Sequence, residues 1–234
     1  CNYFFYEAGI RTGMPDIDAV AKDLGLGEKT GVELFEEQGH RANAESKAAL
    51  YADDPSRSGW YDADTLMLSI GQSECAFTPI QLASYTAALA NRGVRYRATF
   101  LNRVISSDYQ TLVASAEPEV LSTCPICDDA YYAYTTGMSM AVSDDRGTVK
   151  SYLGDYPVAV AGKTGTAQHS SQGSDNGSFV CYAPYEDPQI AIAVFVEKGA
   201  QGGNLSRVAK AIMDVYFGQT QQANAELPGE NVGN

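Results

Sequence analysis

Along the first half of the chain, apolar positions recur at helical spacing. Ile17, Val20, Ala21 and Leu24 share one face over Asp16 to Leu24, which predicts a helix that Gly25 is placed to stop. The clearest helix start is Thr78-Pro79-Ile80-Gln81. Thr78 can cap, Pro79 sits where its missing N–H costs nothing, and Gln81 can reach back to close a capping box. That helix continues through Leu82, Tyr85, Leu89 and Ala90 and is ended by Asn91-Arg92-Gly93. Tyr96 to Val104 has strand character, and Asp129 to Val142 reads as a further helix. Between the first two helices, Glu36 to Tyr61 is polar with a turn signal at Asp53-Asp54-Pro55-Ser56, which predicts a long surface excursion.

The period changes in the last third. Val158 to Ala161, Phe179 to Tyr182 and Ile190 to Val196 are short apolar runs separated by turn residues, and they predict three adjacent antiparallel strands. Leu205, Val208, Ala209, Ile212, Val215 and Tyr216 mark one face of a closing helix, with Asn204 as cap and Gly218 as terminator. Residues 219–234 are polar and read as a disordered tail. The fold class is therefore α+β: a mainly helical part over 1–150, then strands plus a covering helix over 151–218.

Charge narrows the partners. The 234 residues carry 16 basic and 29 acidic side chains, a net charge of −13, with no basic run, so nucleic acid is excluded as a partner. A 44% hydrophobic content is enough to bury a core, yet no stretch approaches the roughly 18 to 20 apolar residues of a membrane span. The chain begins at Cys1 rather than Met, which leads to the expectation that residues precede it. Of the five cysteines, only Cys124-Pro125-Ile126-Cys127 has a suggestive spacing. It lacks the second pair of a zinc ribbon and the strand-to-helix setting of a redox motif, which leaves a local loop disulfide or two incidental thiols.

Candidate chemistry lies at Gly162-Lys163-Thr164-Gly165-Thr166-Ala167, directly after an apolar run. An ammonium flanked by hydroxyls at a strand edge can receive a carboxylate, and glycine lets a ligand's backbone come close. Lys29-Thr30-Gly31 repeats the triplet without a preceding strand and reads as a turn into Val32-Glu33-Leu34. His169 could touch a ligand at the rim, but with only His40 elsewhere it offers neither a triad nor a metal cluster. Tyr131, Tyr132 and Tyr134 read as helix packing and surface. Asp53-Asp54 and Asp144-Asp145 lack calcium-loop spacing and read as solvated turns.

The ordered combination of segments resembles the penicillin-binding transpeptidases. Cys1-Asn2-Tyr3 looks like the end of a Ser-x-Asn motif. Ser69-Ile70-Gly71-Gln72, Thr78-Pro79-Ile80-Gln81-Leu82-Ala83 and Ala87 to Gly93 resemble the segments between the second and third motifs. Lys163-Thr164-Gly165-Thr166-Ala167-Gln168 matches the third motif, and Phe179 to Pro184 the strand after it. The wording is closer to the monofunctional, class B type.

The resemblance implies a β-lactamase/transpeptidase-like fold, an antiparallel sheet flanked by helices, here lacking its N-terminal part. It also implies a D,D-transpeptidase acting on D-Ala-D-Ala stem peptides of peptidoglycan through a serine acyl-enzyme, inhibited by β-lactams and working outside the cytoplasmic membrane behind an upstream anchor. It assigns Asn2, Lys163 and Thr166 to catalysis, with the Thr166 N–H as an oxyanion donor, and Thr164, Gly165 and Thr166 to substrate binding. No cofactor or metal is implied. No Ser-x-x-Lys occurs in the chain: Ser143 and Ser206 both lack lysine at the fourth position. The expectation is of a piece whose nucleophile and first strands belong to the missing N-terminal part of the same protein, inactive alone. Two alternatives share the fold, a β-lactam sensor and a serine β-lactamase-like protein.

Overall fold

The structure, a computed structural model, describes residues 1–167, 175–199 and 201–219. Both His169 and the tail from residue 220 onward lie outside the described residues. The elements in order are α1 (Asn2–Thr12), α2 (Met14–Asp23), α3 (Ala44–Leu50), α4 (Asp62–Leu68), α5 (Pro79–Ala90), β1 (Val94–Tyr96), β2 (Arg103–Ile105), β3 (Leu112–Ser115), β4 (Val120–Thr123) and α6 (Asp128–Ser143). They are followed by α7 (Lys150–Leu153), β5 (Ala161–Ala167), β6 (Asn176–Ala183), β7 (Ile190–Val196), a 3₁₀ turn (Gly202–Leu205) and α8 (Ser206–Tyr216). The fold is α+β.

The core is an antiparallel sheet in the order β5-β6-β7, covered on both faces. Strand alternation divides β6 between the two layers. Phe179, Cys181 and Ala183 pack with Ile192, Leu205, Ala209 and Met213 under α8, while Tyr182 packs with Ala161, Ala90 and Met138 toward α5 and α6. Burying each large apolar side chain contributes about 1.5–3 kcal/mol. The same burial pushes the Cys181 thiol up to about 12, so it stays a neutral core residue.

α5 forms as its local sequence dictates. Thr78 Oγ1 accepts from the Gln81 N–H at 3.3 Å, the Gln81 side chain accepts from the Thr78 N–H at 3.1 Å, and Pro79 takes the first turn. The buried Gln81 amide also donates to the Glu28 and Gln38 carbonyls at 2.9 and 2.7 Å, which ties the preceding loops to this helix. β1 pairs with β4, and β2 pairs with β3, so the stretch Tyr96 to Val104 is two short strands in different pairs rather than one.

Three further expectations are corrected. Glu36 to Tyr61 is no mere surface excursion: Asn43 and Ser46 form a capping box that starts α3, and its buried Lys47 donates to Asp64 at 2.6 Å. The closing helix exists, but Asn204 lies in the 3₁₀ turn and accepts from the Tyr152 hydroxyl at 2.6 Å instead of capping α8. Of its apolar positions, Ala209 joins the core with Met213, whereas Val208, Ile212, Val215 and Tyr216 are exposed. Third, the strand expected at Val158 to Ala161 begins only at Ala161 and runs forward through Ala167. Pairing with β6 along its whole length, rather than side-chain propensity, makes it a strand.

The chain runs from Cys124 to Cys127 without a turn or bend, and both thiols are free. Cys124 is buried against Leu24 and Ala88, and Cys127 is the N-cap residue of α6, so contrary to expectation the pair does link a strand, β4, to a helix start; β4 pairs antiparallel with β1, so the parallel βαβ unit of a redox motif is not formed there. The tyrosines after it pack on one another, with the Arg92 guanidinium 4.0 Å from the Tyr131 ring centroid.

Candidate functional site: an exposed edge strand with a lysine and two threonines

Lys163, Thr164, Gly165 and Thr166 lie inside β5, one of the two outer strands of the described sheet. An outer strand leaves alternate N–H and C=O groups unpaired toward its open side, where a ligand's backbone can reach them. The register sets Lys163 opposite Val180, Thr164 opposite Phe179, Gly165 opposite Ser178 and Thr166 opposite Gly177. By alternation, Thr164 and Thr166 share the α8 face with Phe179, and Lys163 and Gly165 share the face toward α5 and α6.

The Lys163 ammonium donates to the Thr164 carbonyl. Its side chain keeps solvent access, yet the surrounding protein displaces enough water to lower its pKa. The Thr164 hydroxyl lies 3.5 Å from the Thr148 hydroxyl, which the loop between α6 and α7 carries to the strand. Thr148 drew no attention in the sequence, because nothing in Gly147-Thr148-Val149 marks it. Beside it a 360 Å³ groove is lined by Met140, Ala141, Asp144, Arg146, Gly147 and Thr148.

Asn2 sits in the first turn of α1, exposed, and among the described residues it makes no hydrogen bond to β5. α1 instead packs on the end of α4, where Gly9 meets Ser69 so closely that a methyl group would overlap its side chain. The structure thus brings Lys163, Thr164, Gly165 and Thr166 together and does not join Asn2 to them by a hydrogen bond.

The other copy of the triplet shows what this sequence does when its ligand is internal. The Thr30 N–H and hydroxyl donate to Glu36 Oε1 at 2.9 and 2.6 Å, and the Gly31 N–H donates to Glu36 Oε2 at 2.9 Å. Burial opposes ionisation of Glu36, but these three hydrogen bonds and the Lys29 charge outweigh it and hold the carboxyl below its usual range. Lys29-Thr30-Gly31 is therefore a carboxylate clamp already filled by its own chain. His40 pairs with Ala76 through backbone groups in an isolated bridge.

An antiparallel sheet covered by helices, with a lysine and two threonines on one outer strand, defines the class: an α+β protein. The chain belongs to the penicillin binding protein transpeptidase domain family, whose profile matches residues 1–214. It is 30% identical to peptidoglycan D,D-transpeptidase MrdA of Acinetobacter baumannii over 99% of the chain and 35% of that protein. Among solved structures it resembles Pseudomonas aeruginosa PBP2 in complex with WCK 5153, with 32% identity, a TM-score of 0.76, and coverage of 92% of this chain and 46% of that one. It also resembles Helicobacter pylori PBP2 in a complex with MreC, with 25% identity, a TM-score of 0.70, and coverage of 89% and 36%. The chain thus spans about a third of the length of the curated relative.

Proposed function

We propose that this chain is the Lys-Thr-Gly side of a D,D-transpeptidase that cross-links peptidoglycan through a serine acyl-enzyme. The carrying observation is the open strand β5, which presents Lys163, Thr164 and Thr166 in a chain that matches the transpeptidase family nearly throughout. In this reading the Thr164 and Thr166 hydroxyls hold the terminal carboxylate of a D-Ala-D-Ala stem peptide, with Lys163 supplying positive potential. The Thr166 N–H stabilises the tetrahedral oxyanion, Gly165 lets the donor peptide lie along the strand, and Asn2 hydrogen-bonds the substrate amide. The nucleophilic hydroxyl attacks the carbonyl, D-Ala leaves with a proton, and the acceptor amine resolves the ester.

The lowered pKa of Lys163 suits a group near which a proton must move. On this reading the nucleophile comes from outside residues 1–234, which contain no Ser-x-x-Lys. A β-lactam, whose carboxylate and strained amide mimic the donor, takes the same place. By the same reading the protein works at the extracytoplasmic face of the membrane, held by an upstream segment. Among the described residues, no helix is long and apolar enough to cross a membrane. MreC, the partner of the Helicobacter pylori relative, indicates the kind of assembly to test for.

A fluorescent penicillin is expected to label the full-length protein covalently and to leave residues 1–234 alone unlabelled. Labelling of the isolated chain would contradict the placement of the nucleophile.

A further inference from the structure

We propose that Gly202, which lies in none of the motifs read from the sequence, is a positioning residue that sets β5 for the reaction. This rests on the reading of β5 as the substrate-binding strand. Gly202 opens the 3₁₀ turn before α8 and packs on the backbone of the Gly165–Ser178 pair. A methyl group there would overlap the carbonyl oxygens of both residues and come within 3.1 Å of the Gly165 nitrogen. Its φ is not in the left-handed region, so space rather than backbone conformation demands glycine.

The 3₁₀ turn packs with the α8 layer, through Leu205 in that core, and Thr164 and Thr166 point to the same layer on either side of Gly165. Gly202 therefore seats on the strand between the two threonines. The turn itself has little room to retreat. Leu205 is buried, the Ser206 hydroxyl donates to the Gly203 carbonyl at 2.7 Å, and the Tyr152 hydroxyl donates to Asn204 Oδ1 at 2.6 Å. A side chain at Gly203 would meet the Thr148 carbonyl at 3.3 Å, so the same turn also backs the loop whose hydroxyl faces Thr164. Extra volume at position 202 must then be taken up by β5, which carries both the carboxylate-binding hydroxyls and the oxyanion donor. Displacements of about 1 Å in such groups cost on the order of a hundredfold in rate.

The test is the second-order rate constant for acylation of the full-length protein by benzylpenicillin, recorded together with the fraction of molecules that label. Gly202→Ala is expected to lower the rate constant by roughly ten- to a hundredfold in the molecules that label. Gly137→Ala, in α6 with nothing within 4 Å of the added methyl, is expected to match the wild type. Tyr152→Phe removes one pin of the turn, and in the Gly202→Ala background it is expected to restore part of the rate. A merely structural role would lower the labelled fraction and leave the rate constant unchanged, which overturns the proposal.

Should Gly202→Ala give no folded protein, Tyr152→Phe alone carries the test. Loosening the turn by one hydrogen bond is expected to lower the rate constant roughly two- to tenfold, and an unchanged rate overturns the inference. Lys163→Ala separates the two levels. If it acylates at the wild-type rate, the reading of β5 fails; if it is impaired while Gly202→Ala is not, only the present inference fails.

Discussion

Replacing Glu36 with alanine empties the clamp formed by Thr30 and Gly31 and leaves three donors without their acceptor. Thr30 is 0% exposed, so its N–H and hydroxyl are stranded away from water, whereas Gly31 is half-buried and can be rehydrated. A stranded buried donor costs about 1–3 kcal/mol, and two give about 2–6 kcal/mol. Release of a partly desolvated carboxylate offsets some of this, leaving about 2–4 kcal/mol. Native-state hydrogen exchange on the full-length protein, read on peptides spanning residues 26–40, is the assay. Protection of that segment is expected to drop roughly 30- to 700-fold in Glu36→Ala. The exposed neighbour Glu37→Ala is expected to stay within about 0.5 kcal/mol of the wild type.

The pH dependence has a defined sign. The folded pKa of Glu36 lies below its ordinary 4.5, so the clamp's contribution is complete above that value and is lost as pH falls through the depressed one. The difference between wild type and Glu36→Gln should therefore hold steady at neutral pH and narrow only in acid. Protection in Glu36→Ala within about twofold of the wild type would refute the reasoning.

Two more outcomes follow from the same structure. With the Lys163 pKa lowered by desolvation, its charge is lost below the ordinary 10.5, so a pH profile of penicillin acylation should begin its alkaline decline beneath that value. An alkaline limb at or above it would contradict the role given to the ammonium. Phe179 is 0% exposed, with β5 on one side and β7 on the other, so Phe179→Ala should lower stability by about 3–5 kcal/mol in a thermal melt. An unchanged midpoint would show that the sheet is not the core described.

Local chemistry was legible in the sequence wherever it was self-contained. Thr78, Pro79 and Gln81 specify the start of α5 without help from the rest of the chain, and the structure has each in the expected place. The bounds of β5 are not legible in the sequence because Lys163 and Gly165 disfavour a strand as much as Thr164 and Thr166 favour one; pairing with β6, which is later in the chain, decides it. α3 escaped notice because Asn43 and Ser46 sit inside a polar stretch and the helix is only seven residues long. On α8 the apolar period was visible, but the period cannot say which stripe the sheet covers, and Met213 rather than Ile212 goes inside. The order of motifs pointed to the family, while the contributions of Thr148 and Gly202 depend on contacts that no spacing encodes.

The two Lys-Thr-Gly triplets provide the most direct measurement. In one, the acceptor is the chain's own Glu36; in the other, the triplet lies on an outer strand, where the proposed function places the carboxylate of a donor peptide. Penicillin acylation of full-length Lys163→Ala and Lys29→Ala should be compared as second-order rate constants on equal amounts of folded protein. Lys163→Ala is expected to lose at least about tenfold, the effect of removing one charge-assisted contact from a transition state, and Lys29→Ala is expected to keep the wild-type rate. Equal loss in both variants, or a wild-type rate in Lys163→Ala, would contradict the assignment of β5 as the catalytic wall.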